Sequence, residues 1–262
     1  MSSTDSNPSV TIVGVIPARL ESERLPGKVL RPICGRAMVH RVYDAASACK
    51  LLNELWVATD SQQVRDYCSA NGIPVLMTAS THRSGTERIY EVSRSRPAQV
   101  YVNIQGDEPM LQASHLQLLL EPFLRDPAAA SAKFVTTLKT PLAPEEASNP
   151  NVVKVVTNPR GLALYFSRAA IPYHRDVLSP VPYYKHLGLY AYSAAALQTY
   201  MALPASPLEQ TEKLEQMRLL ENGIPIQIAE TSLDTIGVDT EEDLRAVERY
   251  FETTSRPLID SL

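Results

Sequence analysis

Basic side chains follow the first apolar run of the chain. The segment VIPARLESERLPGK, residues 15–28, places Arg19, Arg24 and Lys28 within ten residues. Three cations so close together repel one another unless an anion lies among them. Arg offers a planar fork that matches phosphate oxygens and Lys offers a compact charge, so a phosphate is one anion that this loop can bind. The alternative is a solvated surface loop, since charge runs often serve only solubility.

The glycine signatures of the common phosphate-binding loops are absent from this segment. A Walker loop requires Gly, four residues and then Gly-Lys-Ser/Thr, whereas Lys28 is followed by Val29 and the first glycine position holds Ser22. No Gly-x-Gly-x-x-Gly follows the first predicted strand either. Any phosphate binding here must therefore use basic side chains in place of a glycine-rich loop.

Two carboxylates are candidate ligands for a divalent cation. Asp107 lies in NIQGDEP, residues 103–109, directly after a predicted strand, and Asp239 lies in TIGVDTEEDL near the end of the chain. Mg²⁺ binds to one or two carboxylates together with substrate phosphates and water. The alternatives are a turn residue for Asp107 and a helix cap for Asp239. A single sequence does not show whether the two side chains meet.

Two further segments carry polar groups that could contact a substrate. In THRSGTERI, residues 81–89, Ser84 offers a hydroxyl and backbone N–H groups, and the same segment also has the features of a helix start. In KHLGLYAY, residues 185–192, His186 and Tyr190 are four residues apart and would share one face of a strand. A lone His in such a strand is often structural.

Short apolar runs alternate with helical patterns through the first half of the chain. This alternation predicts a mostly parallel sheet with helices on both faces, and ligands bind beyond the carboxyl ends of such strands. Strands are predicted at residues 11–16, 55–58, 75–77 and 100–104, and helices at residues 38–50, 62–70 and 86–95.

The second half is interrupted by many prolines. One continuous helix is predicted over residues 206–223, because Ser206 and Glu209 form a capping box and Gly223 ends the pattern. A last helix is predicted to start near Asp239, with an acidic first turn that suits the helix dipole.

Composition excludes several classes of protein. The net charge of −4 argues against a general nucleic-acid binder, and no apolar run approaches the ~20 residues of a membrane helix. The first ten residues lack the basic start and apolar core of a secretory signal, so residues 1–10 are expected to be a disordered tail. The odd number of cysteines, without a metal-binding pattern, fits a reduced compartment, and a cytoplasmic location is expected.

Taken together, nine segments resemble one family, the cytidylyltransferases that activate 3-deoxy-D-manno-octulosonate (Kdo), or CMP-Kdo synthetases. In family order these segments are IPARLESERLPGK, VATD, HRSGTERI, NIQGDEPM, NPNVVKVV, ALYFSRAAIPYHRD, HLGLYAY, SPLEQTEKLEQMRLL and GVDTEEDL. The resemblance implies a three-layer α/β/α nucleotidyltransferase fold with a central mixed, mostly parallel sheet. It implies a single domain over residues 11–262, with a nucleotide-binding part (about 11–130), a sugar-binding and dimerisation part (about 131–225) and a returning strand and helix (about 226–262).

The resemblance also implies a reaction and its partners. The anomeric 2-hydroxyl of Kdo would attack the α-phosphorus of CTP, giving CMP-Kdo and pyrophosphate for lipopolysaccharide biosynthesis. Mg²⁺ would be the cofactor and the chain would form a homodimer, with neither nucleic acid nor membrane as a partner.

Residue roles follow from the matching positions. The implied catalytic residues are Arg19, Lys28, Asp107 and Asp239, with Asp107 and Asp239 as the Mg²⁺ ligands. Implied nucleotide contacts are Pro17, Ala18, Arg19, Lys28, Ser84, Arg88 and Gln105, with Arg24 a further candidate for the triphosphate. Implied sugar contacts are Arg168, His186, Tyr190, Glu215 and Gln216.

Departures from the family pattern leave alternatives open. Arg36 stands where Lys is common, Arg83 where Gln is usual, and the stretch over residues 176–183 is short. A cytidylyltransferase for another 2-keto sugar acid, such as sialic acid, is therefore an alternative, although those enzymes typically carry Gly-Ser-Lys-Gly in the first loop. A glycosyltransferase would require Asp-x-Asp where this chain has GDEP, and a non-catalytic nucleotide-binding module is a third possibility.

Overall fold

The computed structural model describes residues 10–22, 24–175 and 182–254. The predicted disordered tail lies outside these ranges except for Val10, which is buried. Most of the short stretch over residues 176–183 also lies outside them.

A mixed sheet of nine strands forms the centre of the described chain, in the order β11-β7-β10-β6-β1-β4-β5, with β8 and β9 attached beside β10. Neighbouring strands from β6 to β5 are parallel, β10 is antiparallel to both of its neighbours, and β11 is parallel to β7. The predicted mixed, mostly parallel sheet is confirmed. The strands are β1 (Ile12–Pro17), β2 (Pro32–Ile33), β3 (Arg36–Ala37), β4 (Glu54–Thr59), β5 (Val75–Met77), β6 (Val100–Asn103), β7 (Val135–Leu142), β8 (Lys154–Thr157), β9 (Ala163–Ser167), β10 (Tyr183–Ser193) and β11 (Ile226–Glu230); β2 and β3 pair only with each other.

Helices cover both faces of this sheet. Successive side chains of β1 point to opposite faces, so Ile12 and Ile16 pack into the core beneath α1, α2 and α4, while Val13 and Val15 pack into the core beneath α3, α6 and α8. Burial on both faces explains why this strand is apolar throughout. The helices are α1 (Met38–Ser47), α2 (Gln62–Ala70), α3 (Gly85–Ser95), α4 (Ala113–Arg125), α5 (Pro127–Ser131), α6 (Ala194–Ala202), α7 (Pro207–Glu212), α8 (Met217–Glu221) and α9 (Glu241–Thr254).

The continuous helix predicted over residues 206–223 is wrong. The capping box of Ser206 and Glu209 is present, but α7 ends where Lys213 adopts a left-handed backbone conformation (φ 55°), and α8 begins only at Met217. The break turns Leu214 into the core and directs Glu215 towards Thr86, whose hydroxyl donates to its carboxylate over 3.0 Å. Tertiary contacts therefore override a pattern that is locally helical.

No described helix is both long and apolar enough to cross a membrane.

Candidate active site

The carboxyl ends of β1 and β6 bring the basic loop and the GDEP turn together. These strands are direct parallel neighbours, so residues 18–28 and 105–109 leave the same edge of the sheet. Gly106 permits their close approach, because a Cβ atom there would lie 2.6 Å from the carbonyl oxygen of Pro17. Any larger residue at position 106 would collide with the backbone of Pro17, so this turn requires glycine.

Asp107 and Asp239 meet at one ammonium group. The Lys28 Nζ lies 2.6 Å from Asp107 Oδ2 and 2.9 Å from Asp239 Oδ1. A backbone hydrogen bond of 2.9 Å from Val238 N to the Asp107 carbonyl joins the two segments directly. Arg24 adds a second cation, with its Nη2 2.8 Å from Asp239 Oδ2. The question left open by the sequence is answered, since the two acids are adjacent.

The electrostatics of this cluster keep the lysine charged. Burial by itself lowers the pKa of Lys28, but Asp107 and Asp239 outweigh it, so the pKa lies above its ordinary value. Two carboxylates that share one cation are a donor set that suits Mg²⁺. The described residues hold no group of three or more acidic, His or Cys side chains that could bind a metal.

Asp239 is not the cap of α9. Thr240 and Asp243 form the cap instead: Asp243 N donates to Thr240 Oγ1 over 3.2 Å and Thr240 N donates to Asp243 Oδ2 over 2.9 Å. The carboxylate of Asp239 is thereby left to bind Lys28 and Arg24. The alternative interpretation of Asp239 as a helix cap is wrong.

A small cavity of about 330 Å³ lies beside this cluster. Arg19 and Lys28 line it, and the Arg19 Nη2 is a buried atom without a hydrogen-bond partner in the described structure. A buried, unpaired guanidinium nitrogen is costly unless an anion completes its hydrogen bonds. The small cavity therefore has the electrostatic character that suits an anion. Pro17, Ser84, Gln105 and Arg83 also line it.

Two predicted nucleotide contacts lie behind the surface instead. Ala18 is fully buried, and its N–H donates to the Ala58 carbonyl over 2.9 Å. Arg88 is fully buried too; it donates to Asp60 Oδ2 over 2.9 Å and to the Thr78 hydroxyl. Asp60, not Arg88, lines a neighbouring cavity of about 900 Å³ together with Arg19. In the described structure Arg88 therefore supports Asp60, and its predicted contact with the nucleotide stays a prediction.

The predicted sugar contacts line one large cavity of about 830 Å³. This cavity shares Gln105, Asp107 and Glu215 with the small cavity, so the two cavities are adjacent. All five residues predicted for the sugar lie in its wall: Arg168, His186, Tyr190, Glu215 and Gln216. The structure therefore brings together side chains from the residue that follows β9, from β10 and from the break between α7 and α8.

Arg168 keeps its charge available. Its Nε donates to the Glu212 carbonyl over 2.8 Å and its Nη1 to the Pro150 carbonyl over 2.9 Å. Both acceptors are neutral backbone oxygens, and no carboxylate of the described residues forms an ion pair with this guanidinium. A substrate carboxylate is a suitable partner for such a cation.

His186 is neutral in this environment. Burial, with the nearby Lys185 adding a smaller effect, lowers the pKa of His186 to about 3. Its Nε2 lies 3.0 Å from the Thr137 hydroxyl, and its ring packs edge-on against Phe166. Neutral His186 therefore offers hydrogen bonding and a ring surface to the large cavity.

Glu215 is held in place by two hydroxyl groups. Burial raises the pKa of Glu215, and its carboxylate accepts hydrogen bonds from Thr86 and from Tyr200.

Sequence reasoning missed three residues that build this site. Glu108 is partly buried and accepts a 3.1 Å hydrogen bond from the Thr235 hydroxyl; desolvation first, and then the charge of Asp107, raise the pKa of Glu108 to about 7. Lys185 donates to Asp234 and to the Thr235 carbonyl, each over 2.7 Å. In the sequence, the only indication that these two residues belong to the site is that each is next to a predicted site residue: Glu108 follows Asp107 and Lys185 precedes His186.

The third missed residue is Lys154, which is fully buried. Its Nζ donates to the carbonyls of Asn149, Val152 and Arg168 over 2.8, 2.6 and 2.6 Å. Burial lowers the pKa of Lys154, and the charge of Arg168 lowers it further. Through these hydrogen bonds Lys154 connects the segment around Asn149 to Arg168 at the end of β9, and both residues line the large cavity.

The sheet, the cationic small cavity and the paired carboxylates define a nucleotidyltransferase. The profile of the cytidylyltransferase family matches residues 13–231. A relative from Koribacter versatilis, a 3-deoxy-manno-octulosonate cytidylyltransferase, is 51% identical over 94% of this chain and 92% of its own. One of the same description from Acidobacterium capsulatum is 52% identical over 92% of this chain and 96% of its own. The chain belongs to the 3-deoxy-manno-octulosonate cytidylyltransferase family.

Solved structures agree with this assignment. A CMP:2-keto-3-deoxy-manno-octonic acid synthetase complexed with CTP superposes with a TM-score of 0.88 at 43% identity, covering 93% of this chain and 99% of that one. A glucose-1-phosphate thymidylyltransferase from Bacillus anthracis, at 14% identity and a TM-score of 0.64 over 95% of this chain and 98% of its own, shares the fold alone. The family and fold that the nine segments implied are confirmed.

Proposed function

We propose that the protein transfers CMP from CTP to the anomeric 2-hydroxyl of Kdo and releases pyrophosphate, which activates Kdo for lipopolysaccharide biosynthesis. The observation that carries the proposal is the Lys28 cluster. Asp107, one of its two acids, lies in the wall of both cavities, where the small cationic cavity adjoins the larger polar cavity. Such a junction is where a triphosphate and a sugar acid would meet.

The small cavity suits the phosphates. Displacement at phosphorus requires alignment of the attacking and leaving oxygens and neutralisation of the charge that develops on them. Arg19 contributes the unpaired Nη2 and Lys28 a permanent ammonium, both in the cavity wall. These two cations would stabilise the charge on the departing pyrophosphate.

The carboxylate pair suits a divalent cation. Asp107 and Asp239 would hold Mg²⁺, and Mg²⁺ bound there would neutralise phosphate oxygens and lower the pKa of the attacking hydroxyl. Support for this assignment is the ammonium of Lys28, a cation already bound by both acids.

The large cavity suits a sugar acid. Arg168 has an uncompensated guanidinium for the carboxylate of the sugar. Polar groups for hydroxyls are present as well: the Gln216 Nε2 and the Asn103 Oδ1 are buried and lack partners in the described structure. Neutral His186 and the Glu215 carboxylate add further hydrogen-bonding groups.

We also propose a homodimer that uses the second half of the chain. Leu164 on β9 and Tyr173 are large apolar residues that are 60% and 87% exposed there. Light scattering coupled to size-exclusion chromatography would measure the mass directly. A monomer at micromolar concentration would contradict this part of the proposal.

Pyrophosphate release tests the reaction. The protein is mixed with CTP, Mg²⁺ and one sugar acid at a time, with Kdo, sialic acid and other 2-keto sugar acids in the panel. Release with Kdo at the highest kcat/KM is expected. Preference for another keto acid would select the alternative substrate, and measurable CTP binding without release from any acid would indicate a non-catalytic nucleotide-binding protein.

A further inference from the structure

The ammonium of Lys28 is saturated by the protein itself. An ammonium has three N–H donors, and three acceptors surround this one: Asp107 Oδ2 at 2.6 Å, Asp239 Oδ1 at 2.9 Å and the Val238 carbonyl at 3.2 Å. In this arrangement no donor remains for a phosphate. Lys28 therefore cannot bind the triphosphate and hold both carboxylates fully at the same time.

The acceptors around Lys28 resemble the ligands of a hard divalent cation. Two carboxylate oxygens and one backbone carbonyl are the oxygen donors that Mg²⁺ and Mn²⁺ use in proteins. The ammonium brings one positive charge to two negative ones, so the cluster retains the capacity to bind a doubly charged ion. The side chain of Arg24, the other cation here, is 62% exposed, and its one ion pair within the described residues is with Asp239.

We propose that Lys28 occupies the cation position between Asp107 and Asp239 in the nucleotide-free protein and exchanges with the divalent cation when CTP binds. This inference rests on the proposed function, because it takes both acids as the metal ligands. Lys28 keeps its proton throughout and passes from the carboxylates to the phosphates. Lys28 already lines the small cavity, so the transfer would carry its ammonium from one side of the same site to the other.

The exchange has two physical consequences. The ammonium offsets the repulsion between the carboxylates, so the pair is assembled before a metal arrives. It also competes with the metal, so the divalent cation binds weakly until a triphosphate draws Lys28 away. Metal and nucleotide then bind cooperatively. The nucleotide draws Lys28 out of the cation position, and the metal replaces Lys28 between the carboxylates and so frees it for the phosphates.

Arg24 provides the matched control. Removing any nearby positive charge strengthens cation binding, because the incoming cation is repelled less. This effect occurs whether or not the removed charge occupied the binding position itself. Arg24→Met removes one charge from the same cluster but leaves the bridge between the two acids in place. Lys28→Met removes one charge and the bridge together, and Lys28→Arg retains the charge.

Mn²⁺ binding, measured by electron paramagnetic resonance, tests the proposal without turnover. Mn²⁺ is titrated into the wild type and the three variants, alone and with CTP but no sugar acid. Without CTP, Lys28→Met should bind Mn²⁺ about tenfold more tightly than the wild type, whereas Arg24→Met should gain about threefold or less. CTP should tighten Mn²⁺ binding strongly in the wild type and much less in Lys28→Met.

The outcomes separate this inference from the proposed function. If the wild type binds Mn²⁺ with CTP, but Lys28→Met gains no more than Arg24→Met without it, the exchange is refuted and the metal site stands. If no protein binds Mn²⁺ under either condition, both the exchange and the metal ligands are refuted. A melting curve shows whether Lys28→Met is folded, and Lys28→Gln, a second neutral variant, replaces it if it is not.

Discussion

Glu108 and Thr235 form a hydrogen bond of 3.1 Å that joins the two halves of the carboxylate pair. Glu108 follows Asp107 directly, and Thr235 begins the stretch that leads to Asp239. Lys185 holds the same stretch through the Thr235 carbonyl. The separation of the two acids is therefore set by contacts outside the pair itself.

Thr235→Val should disturb that separation. The substitution keeps the shape of the side chain and removes the hydroxyl that Glu108 accepts from, so Glu108 loses its donor and Asp239 loses a constraint. We expect the apparent Mg²⁺ requirement to rise by about threefold to tenfold, as a lost hydrogen bond of ~1 kcal/mol would produce. Steady-state rates over a range of Mg²⁺ concentrations measure this. Thr199→Val, on α6, is the control; an unchanged Mg²⁺ requirement in Thr235→Val would contradict the positioning role.

Asp107→Asn should abolish most of the activity. The substitution removes one negative charge from the cluster while keeping a side chain of the same size, and we expect kcat to fall by about 10²-fold or more, as for other preorganised electrostatic contacts. Pyrophosphate release at saturating CTP measures the effect. Asp66→Asn, on the exposed side of α2, should be close to wild type. A nearly wild-type rate for Asp107→Asn would remove this residue from the proposed metal site.

Arg83→Gln should weaken CTP binding without slowing the reaction of bound CTP. Arg83 lines the small cavity, and its guanidinium forms no ion pair with any described residue, so its charge is available to a phosphate. Since Arg83 is exposed, we expect KM for CTP to rise by only about threefold, with kcat unchanged. Arg94→Gln makes the same change of charge at the far end of α3. Equal KM values for the two variants would show that Arg83 does not contact CTP.

His186 should make the protein less stable in acid. The pKa of His186 is about 3 in the folded protein and ~6.5 in the unfolded chain, so below pH 6.5 only the unfolded state binds the proton. Stability is greatest above this pH and falls as the pH is lowered towards 3. Between pH 7 and pH 5 the loss from this group is ~2 kcal/mol.

Urea unfolding of the wild type and His186→Gln at both pH values isolates the contribution of His186. The variant should lose about 2 kcal/mol less than the wild type between pH 7 and pH 5. Parallel losses in the two proteins would mean that His186 accepts a proton in the folded state.

Sequence patterns predicted the first half of the fold well because its signals are local. Helix α2 and strand β5 have the predicted bounds, and α2 begins where the Ser61 hydroxyl accepts from Val64 N. The central strand β1 was predicted from its apolar run alone. A strand buried on both faces and a helix with a side-chain cap leave such signals in neighbouring residues.

The site was predicted less completely because its contacts are distant in the chain. The pattern around Lys213 is helical, whereas the break there accompanies the burial of Leu214 and the contact of Glu215 with Thr86, which lies far away in the chain. The family resemblance implied a nucleotide contact for Arg88, and the structure shows that Asp60 and Thr78 hold its guanidinium in the interior. Neither partner could be identified without the fold.

Lys154 anchors the sugar side of the large cavity with a charge that has only uncharged hydrogen-bond acceptors. Dissolved ions screen pairs of exposed opposite charges effectively, but they reach a fully enclosed ammonium and its carbonyl dipoles poorly. If Arg19 and Lys28 bind the phosphates as proposed, raising the ionic strength should weaken that binding because these cations are partly exposed, while the shape of the cavity wall around Lys154 persists. The two proposed sets of substrate contacts would then respond differently to salt, although they line adjacent cavities.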